Sequence, residues 1–137
     1  MPKTQSVMTR DVQTLHPKDT LQQAAQLMDQ LDVGALPVCD AGRVVGMITD
    51  RDITVRATAQ GLAAGTSVDQ VMSADVVCCQ EDDDIDTLQQ AMCDSQVRRV
   101  PIVDSDEKLV GIVSLGDLAL RQSSNIDNVV REVSTPA

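Results

Sequence analysis

The chain is written twice. Laying Val7 on Val71 aligns Val7-Met8-Thr9 with Val71-Met72-Ser73, Asp11-Val12 with Asp75-Val76, Asp19 with Asp83 and Met28 with Met92, all at a spacing of 64 residues. Val33 then meets Val97, Pro37-Val38 meets Pro101-Ile102, and Asp40 meets Asp104. One extra residue in the following turn moves the spacing to 65, after which Val45-Gly46, Thr49, Asp52 and Arg56 fall on Val110-Gly111, Ser114, Asp117 and Arg121. A repeat of this length means that both copies build the same supersecondary unit, and that neither covers its apolar face alone.

Local patterning says what that unit is. Leu21, Ala24, Ala25, Met28 and Leu31 recur at helical spacing, the stripe of an amphipathic helix. Thr20 and Gln23 stand at capping-box spacing, and Pro17 with Asp19 suits a turn just before them. The second copy repeats the stripe in Ile85, Leu88 and Met92, with Asp84 expected as the N-cap. Two β-prone runs follow, 35–39 and 44–49, joined by Asp40-Ala41-Gly42, which predicts a hairpin. Its counterpart joins 100–103 to 109–114 around Asp104-Ser105-Asp106. A second helix is expected from about residue 50 toward Gly61, which is placed to end it, and another from about 115 toward 123. Each copy therefore reads β-α-β-β-α, giving an α/β architecture of two such motifs packed about a pseudo-two-fold axis. The expected divisions are a first motif at 7–61, a linker at 62–70, a second motif at 71–123 and a tail at 124–137. In that tail Ile126, Val129, Val130 and Val133 suit one more helix within 125–134.

Composition narrows the function. A chain of 137 residues buries a core without disulfide or metal staples. Its formal charge of −10 sets it against nucleic acid, whose binding rests on phosphate neutralisation by Lys and Arg. Phe, Tyr and Trp are absent, so stacking platforms for single strands are excluded, and any purine bound here lies between aliphatic groups and backbone. The N-terminal residues carry no apolar signal core, and no run approaches the roughly 18 apolar residues of a membrane span; a cytoplasmic protein is expected. Cys39, Cys78, Cys79 and Cys93 form no C-x-x-C pair and His16 is the sole histidine, so no metal site is expected. Reduced thiols at 39 and 93 serve as small apolar groups. No nucleophile and base pair assembles from these residues, and an enzyme is the least supported class.

The segments Gly46-Met47-Ile48-Thr49-Asp50-Arg51-Asp52 and Gly111-Ile112-Val113-Ser114-Leu115-Gly116-Asp117 resemble the G-h-h-[T/S]-x-x-D signature of cystathionine β-synthase (CBS) motifs. Ala35-Leu36-Pro37-Val38 and Arg99-Val100-Pro101-Ile102 resemble the strand that precedes it. The likeness runs from about Val7 to Leu120, and the whole is similar to a stand-alone bacterial CBS pair, or Bateman module. That resemblance implies two clefts where the motifs meet, taking AMP, ADP, ATP or S-adenosylmethionine as a regulatory ligand, with no cofactor required and no catalytic residue. By it Asp52 and Asp117 would hold ribose hydroxyls, and Thr49 and Ser114 would face ribose or phosphate. Thr14 and Cys78, on the first strand of each motif, would reach base or ribose, and Ala35, Pro37 and Pro101 belong to the same implied set. Arg51, Arg98 and Arg99 would supply the positive charge that phosphate needs. The resemblance also implies a homodimer and an unidentified client protein. The chemistry is sound in itself: a carboxylate accepts two hydrogen bonds from a vicinal diol, and free N–H groups at a helix start attract phosphate.

Each feature has a plainer reading. Thr49-x-x-Asp52 and Ser114-x-x-Asp117 are ordinary helix starts. Arg56 and Arg121 stand four residues after those aspartates, as in a helical ion pair. The run Glu81-Asp82-Asp83-Asp84 is a solvated helix entry rather than a cation site. The copies also differ: Gly34-Ala35-Leu36 stands where the second copy has Arg98-Arg99-Val100, and Gly116 replaces Arg51. A ligand-free dimerising or partner-binding protein is therefore an alternative, and thiol redox sensing through Cys78 and Cys79 is another.

Overall fold

The computed structural model describes residues 2–121, the side chain of Arg121 excepted; the helix anticipated at 125–134 and the Arg121 ion pair lie outside the described residues. The chain forms two compact units. A central unit comprises residues 13–76, and a terminal unit joins residues 2–12 to residues 77–121.

In the central unit α1 spans Leu21–Leu31. Thr20 caps it as the spacing predicts: Oγ1 accepts the Gln23 amide at 3.1 Å, and the Thr20 amide donates to Gln23 Oε1 at 2.7 Å. Leu21, Ala24 and Met28 are buried. The hairpin follows as β1, Ala35–Asp40, antiparallel to β2, Arg43–Thr49. Ala41 and Gly42 both have positive φ, 52° and 82°, the backbone that a two-residue type I′ turn requires. The first strand of this copy is reduced to one parallel bridge between Leu15 and Val38. Leu15, Leu21, Ala24, Met28, Leu36, Val38, Ile48, Ala57, Val68 and Val71 make the core.

The helix expected after β2 follows its predicted course but not as one α-helix. A single turn, α2 at Asp50–Asp52, runs into π-helical winding over Ile53–Ala57 and a 3-10 turn at Thr58–Gln60, ended by Gly61 at φ 75°. Three consecutive β-branched residues, Ile53, Thr54 and Val55, are poor α-helix formers. The Thr54 hydroxyl also donates to the Asp50 carbonyl at 3.1 Å, a bond that loosens the turn it spans.

In the terminal unit β3, Cys79–Gln80, pairs in parallel with β4, Arg99–Val103, which pairs antiparallel with β5, Leu109–Ser114. Helices α3, Ile85–Ser95, and α4, Leu115–Arg121, complete it. Both hairpins carry a bulge at the same repeat position, Val38/Cys39 and Ile102/Val103. The core holds Val7, Cys79, Ile85, Leu88, Met92, Val100, Ile102, Val113, Leu115 and Leu118. Asp84 does occupy the N-cap of α3, but its side chain makes no capping bond; it accepts from Lys3 Nζ at 3.0 Å instead.

Each repeat lends its opening residues to the unit built on the other. Val7 belongs to the terminal core, and its repeat equivalent Val71 to the central one. Thr4 donates both its amide and its hydroxyl to the Asp83 carbonyl, at 2.8 and 3.0 Å; the equivalent Val68 amide donates to the Asp19 carbonyl at 2.8 Å. Thr9 and Ile112 exchange backbone bonds, as do Ser73 and Met47. The signature glycines lie under these segments. A Cβ on Gly111 would come 2.6 Å from Met8 Sδ and 2.9 Å from the Thr9 carbonyl oxygen, and one on Gly46 would meet Met72 Sδ at 2.6 Å and the Ser73 oxygen at 2.9 Å. These glycines admit a crossing segment of backbone, not a ligand.

Candidate functional site

Both units place the signature aspartate at a turn where a strand passes directly into a helix. Thr49 ends β2 in extended conformation and caps α2: its Oγ1 accepts the Asp52 amide at 3.0 Å, and its own amide donates to Asp52 Oδ2 at 3.0 Å. Ser114 and Asp117 repeat the arrangement, with the Asp117 amide donating to Ser114 Oγ at 3.1 Å and the Ser114 amide to Asp117 Oδ2 at 2.9 Å. The capping reading therefore holds in both copies, as a reciprocal capping box with Asp in the third position. Each cap uses only the Oδ2 oxygen. The first helical amide is anchored as well, Asp50 to the Gly34 carbonyl at 2.9 Å and Leu115 to the Arg98 carbonyl at 2.8 Å.

Strand register gathers several expected residues at these turns. Ala35 lies opposite Thr49, and Arg99 opposite Ser114, so the central turn collects Ala35, Thr49, Arg51 and Asp52, and the terminal turn Arg98, Arg99, Ser114 and Asp117. Pro37 and Pro101 are buried two register pairs deeper, opposite Met47 and Ile112. Thr14 and Cys78 are both exposed, each just before the residue that pairs with the middle strand, Leu15 with Val38 and Cys79 with Ile102.

The two turns differ in charge. The central one presents exposed Asp50 and Arg51 beside Asp52, whereas the terminal one presents Arg98 and Arg99 beside Asp117, with Leu115 buried in the core where the first copy has Asp50. A Cβ at Gly34 would stand 3.0 Å from Asp50 Oδ2, so the Asp50 carboxylate lies over the glycine that Arg98 replaces. Sequence reasoning did not single out Asp50; the contrast of Asp50 with Leu115 at one repeat position was the available signal.

Arg56 makes the expected ion pair, Nε lying 3.8 Å from Asp52 Oδ1. It also does what spacing did not suggest: Nη1 donates to the Val71 carbonyl at 3.3 Å and to that of Met72 at 3.5 Å. Of the adjacent cysteines the structure exposes Cys78 and buries Cys79. Desolvation, then the charge of Glu107, pushes the Cys78 thiol up; desolvation, then Asp83 and Cys78, pushes Cys79 up to about 11. Both environments work against a thiolate. In the acidic run Asp83 Oδ2 accepts the Gln80 amide at 2.8 Å, as Asp19 Oδ2 accepts that of His16 at 2.8 Å, so these aspartates hold turns. Among the described residues no three His, Cys, Asp or Glu side chains are grouped to hold a metal ion, and no helix is long and apolar enough to cross a membrane.

The family model for the CBS domain matches residues 5–57 and 68–124. The CBS domain-containing protein YhcV of Bacillus subtilis is 47% identical over 125 residues, covering 91% of this chain and 89% of that one. A crystal structure of hypoxic response protein I superposes with a TM-score of 0.81 at 34% identity, over 88% of this chain and 99% of that one; the protein of that name in Mycobacterium tuberculosis is 37% identical over 121 residues, 87% of this chain and 84% of its own. The CBS domain pair of protein MJ0100 gives a TM-score of 0.77 at 26% identity, over 88% and 94%. Two family matches in tandem, on two units of mixed α/β structure with the signature turn in each, leave one conclusion: this chain belongs to the CBS domain family.

Proposed function

We propose that this protein is a non-catalytic regulatory module that takes an adenine nucleotide or S-adenosylmethionine, with Asp52 and Asp117 accepting hydrogen bonds from ribose hydroxyls. The observation that carries the reading is the doubled capping box. In each unit the cap fixes the carboxylate through Oδ2 alone, so the group is held in one orientation with its second oxygen outside the cap, as recognition of a vicinal diol requires. The CBS pair of MJ0100 is known in complex with 5′-methylthioadenosine and S-adenosylmethionine, which supports an adenosyl ligand here. Thr49 and Ser114, Ala35, Pro37 and Pro101, and the exposed Thr14 and Cys78 complete the proposed contact set. Arg98 and Arg99 make the terminal turn the better partner for phosphate; at the central turn Asp50 offsets Arg51. Two zinc ions are coordinated in the structure of hypoxic response protein I, and the metal belongs to that protein.

The module is read as a cytoplasmic homodimer whose ligand biases a client protein. That bias requires the ligand to bind one arrangement better than another, since equal affinity shifts nothing. The contrast between Asp50 and the core residue Leu115 favours a second reading, in which one or both turns take no nucleotide and the protein acts through a partner alone.

Titration calorimetry of the full chain with AMP, ATP and S-adenosylmethionine decides between them. Saturable binding of any one, weakened in Asp52→Ala or Asp117→Ala, supports the ligand reading. No heat with all three moves the function to the partner-only reading.

A further inference from the structure

Arg56 stands between two acceptors and satisfies neither closely. Its Nε is 3.8 Å from Asp52 Oδ1, and its Nη1 is 3.3 and 3.5 Å from the Val71 and Met72 carbonyls. A full charge-assisted bond from a guanidinium lies nearer 2.7–2.9 Å, so one cation is shared between a carboxylate and a stretch of backbone. The carboxylate is the one assigned above to ribose. The backbone stretch lies a few residues before the chain passes to the terminal unit after Val76. It is tied to β2 through the paired Met47 and Ser73 bonds, both 2.9 Å, and Met72 lies against Gly46. Arg56 itself sits in the π-helical winding, where Ile53, Thr54 and Val55 leave the turn loosely wound.

We propose that Arg56 is a positioning residue that transmits occupancy of Asp52 to the crossing segment Val71–Ser73. The proposal rests on the reading of Asp52 as a ribose ligand. A ribose hydroxyl donating to Oδ1 takes the place of the guanidinium there, and the released Arg56 closes on the two carbonyls. The empty site leaves the cation divided and the segment loosely held. The occupied site commits the cation to the backbone and stiffens the segment that leads toward one of the two points where the chain passes between the units.

Amide hydrogen exchange of the full chain tests this, read at Val71, Met72 and Ser73, whose amides bond to Val68 and Met47. AMP is expected to slow exchange there by about two- to fivefold in the wild type, the scale of one improved hydrogen bond. In Arg56→Met the slowing is expected to vanish while AMP still binds. A purely structural role for Arg56 would change exchange equally with and without AMP, and that result overturns the proposal. Asp52→Asn keeps an oxygen for the cap but removes the charge that holds Arg56, so it is expected to slow exchange at 71–73 without any nucleotide. Unchanged exchange in ligand-free Asp52→Asn overturns the link between Asp52 and the segment even if AMP binds. Slowing in Asp52→Asn together with no AMP binding to the wild type leaves the link standing and overturns its nucleotide trigger.

Discussion

Asp52 and Thr49 hold each other twice, amide to carboxylate and amide to hydroxyl, each at 3.0 Å. The aspartate thus has a structural duty and a proposed ligand duty on different oxygens, and substitutions separate them. Asp52→Ala and Asp117→Ala remove the carboxylate that accepts the Thr49 or Ser114 amide and are expected to destabilise by about 0.5–1.5 kcal/mol. Loss of the ribose contact is expected to weaken AMP binding by a further ten- to hundredfold, about 1.5–3 kcal/mol. Thermal denaturation reads the first effect and calorimetric titration the second. Unchanged affinity in both variants would sink the ribose assignment.

Gly46→Ala and Gly111→Ala are expected to destabilise by about 1–3 kcal/mol, because the new methyl meets a methionine sulfur and a backbone oxygen in a packed core. Met72→Ala opens space beside Gly46, so the double variant Gly46→Ala/Met72→Ala is expected to lose less than the sum of the singles. A double-mutant cycle by urea denaturation measures this coupling, and strict additivity would mean that the two residues do not press on one another.

Ala41 occupies a left-handed turn position at φ 52°, where a Cβ is unfavourable and Gly or Asn is preferred. Ala41→Gly and Ala41→Asn are each expected to stabilise by about 0.5–1 kcal/mol. A melting temperature at or below that of the wild type for both would contradict the I′ assignment.

Cys79 has its thiol pushed up to about 11, first by burial. A proton held more tightly in the folded than in the unfolded state gives a stabilising contribution that is complete below the unfolded value and lost as pH rises through the folded one. Stability is therefore expected to fall between about pH 9 and 11 and to fall less in Cys79→Ala. Denaturation midpoints across that range check it. Alkylation by iodoacetamide at pH 8 is expected to leave Cys79 unmodified in the native protein.

Elements whose cause is local were legible before any coordinates. Thr20 with Gln23, the turn at Ala41-Gly42 and the stop at Gly61 each depend on neighbours within a turn or two and are found as read, while the helical stripe is buried at Leu21, Ala24 and Met28 and exposed at Ala25 and Leu31. The candidate site was legible for the same reason, since Thr49 and Asp52 meet through a three-residue spacing. Other features depend on distant groups and left no periodic trace. Asp84 stands at the N-cap as read, yet its carboxylate turns to Lys3 rather than to a helix amide. Arg56 reaches two carbonyls supplied by chain fifteen and sixteen residues away. The exchange of opening segments hid in plain view: Val7-Met8-Thr9 and Val71-Met72-Ser73 are a close match between the copies, yet they pack on the copy to which they do not belong.

That exchange sets an order of assembly on the ribosome. Every residue of the central unit lies in one unbroken stretch, 13–76, so its partners are all made before Val77. Thr9, made earlier, must wait for Ile112, an interval of about five to twenty seconds at the usual pace of translation. Through that interval Val7 and Met8 have no core of their own to enter. The stretch 13–76 is born able to close, while the segment around Thr9 stays open until Ile112 arrives.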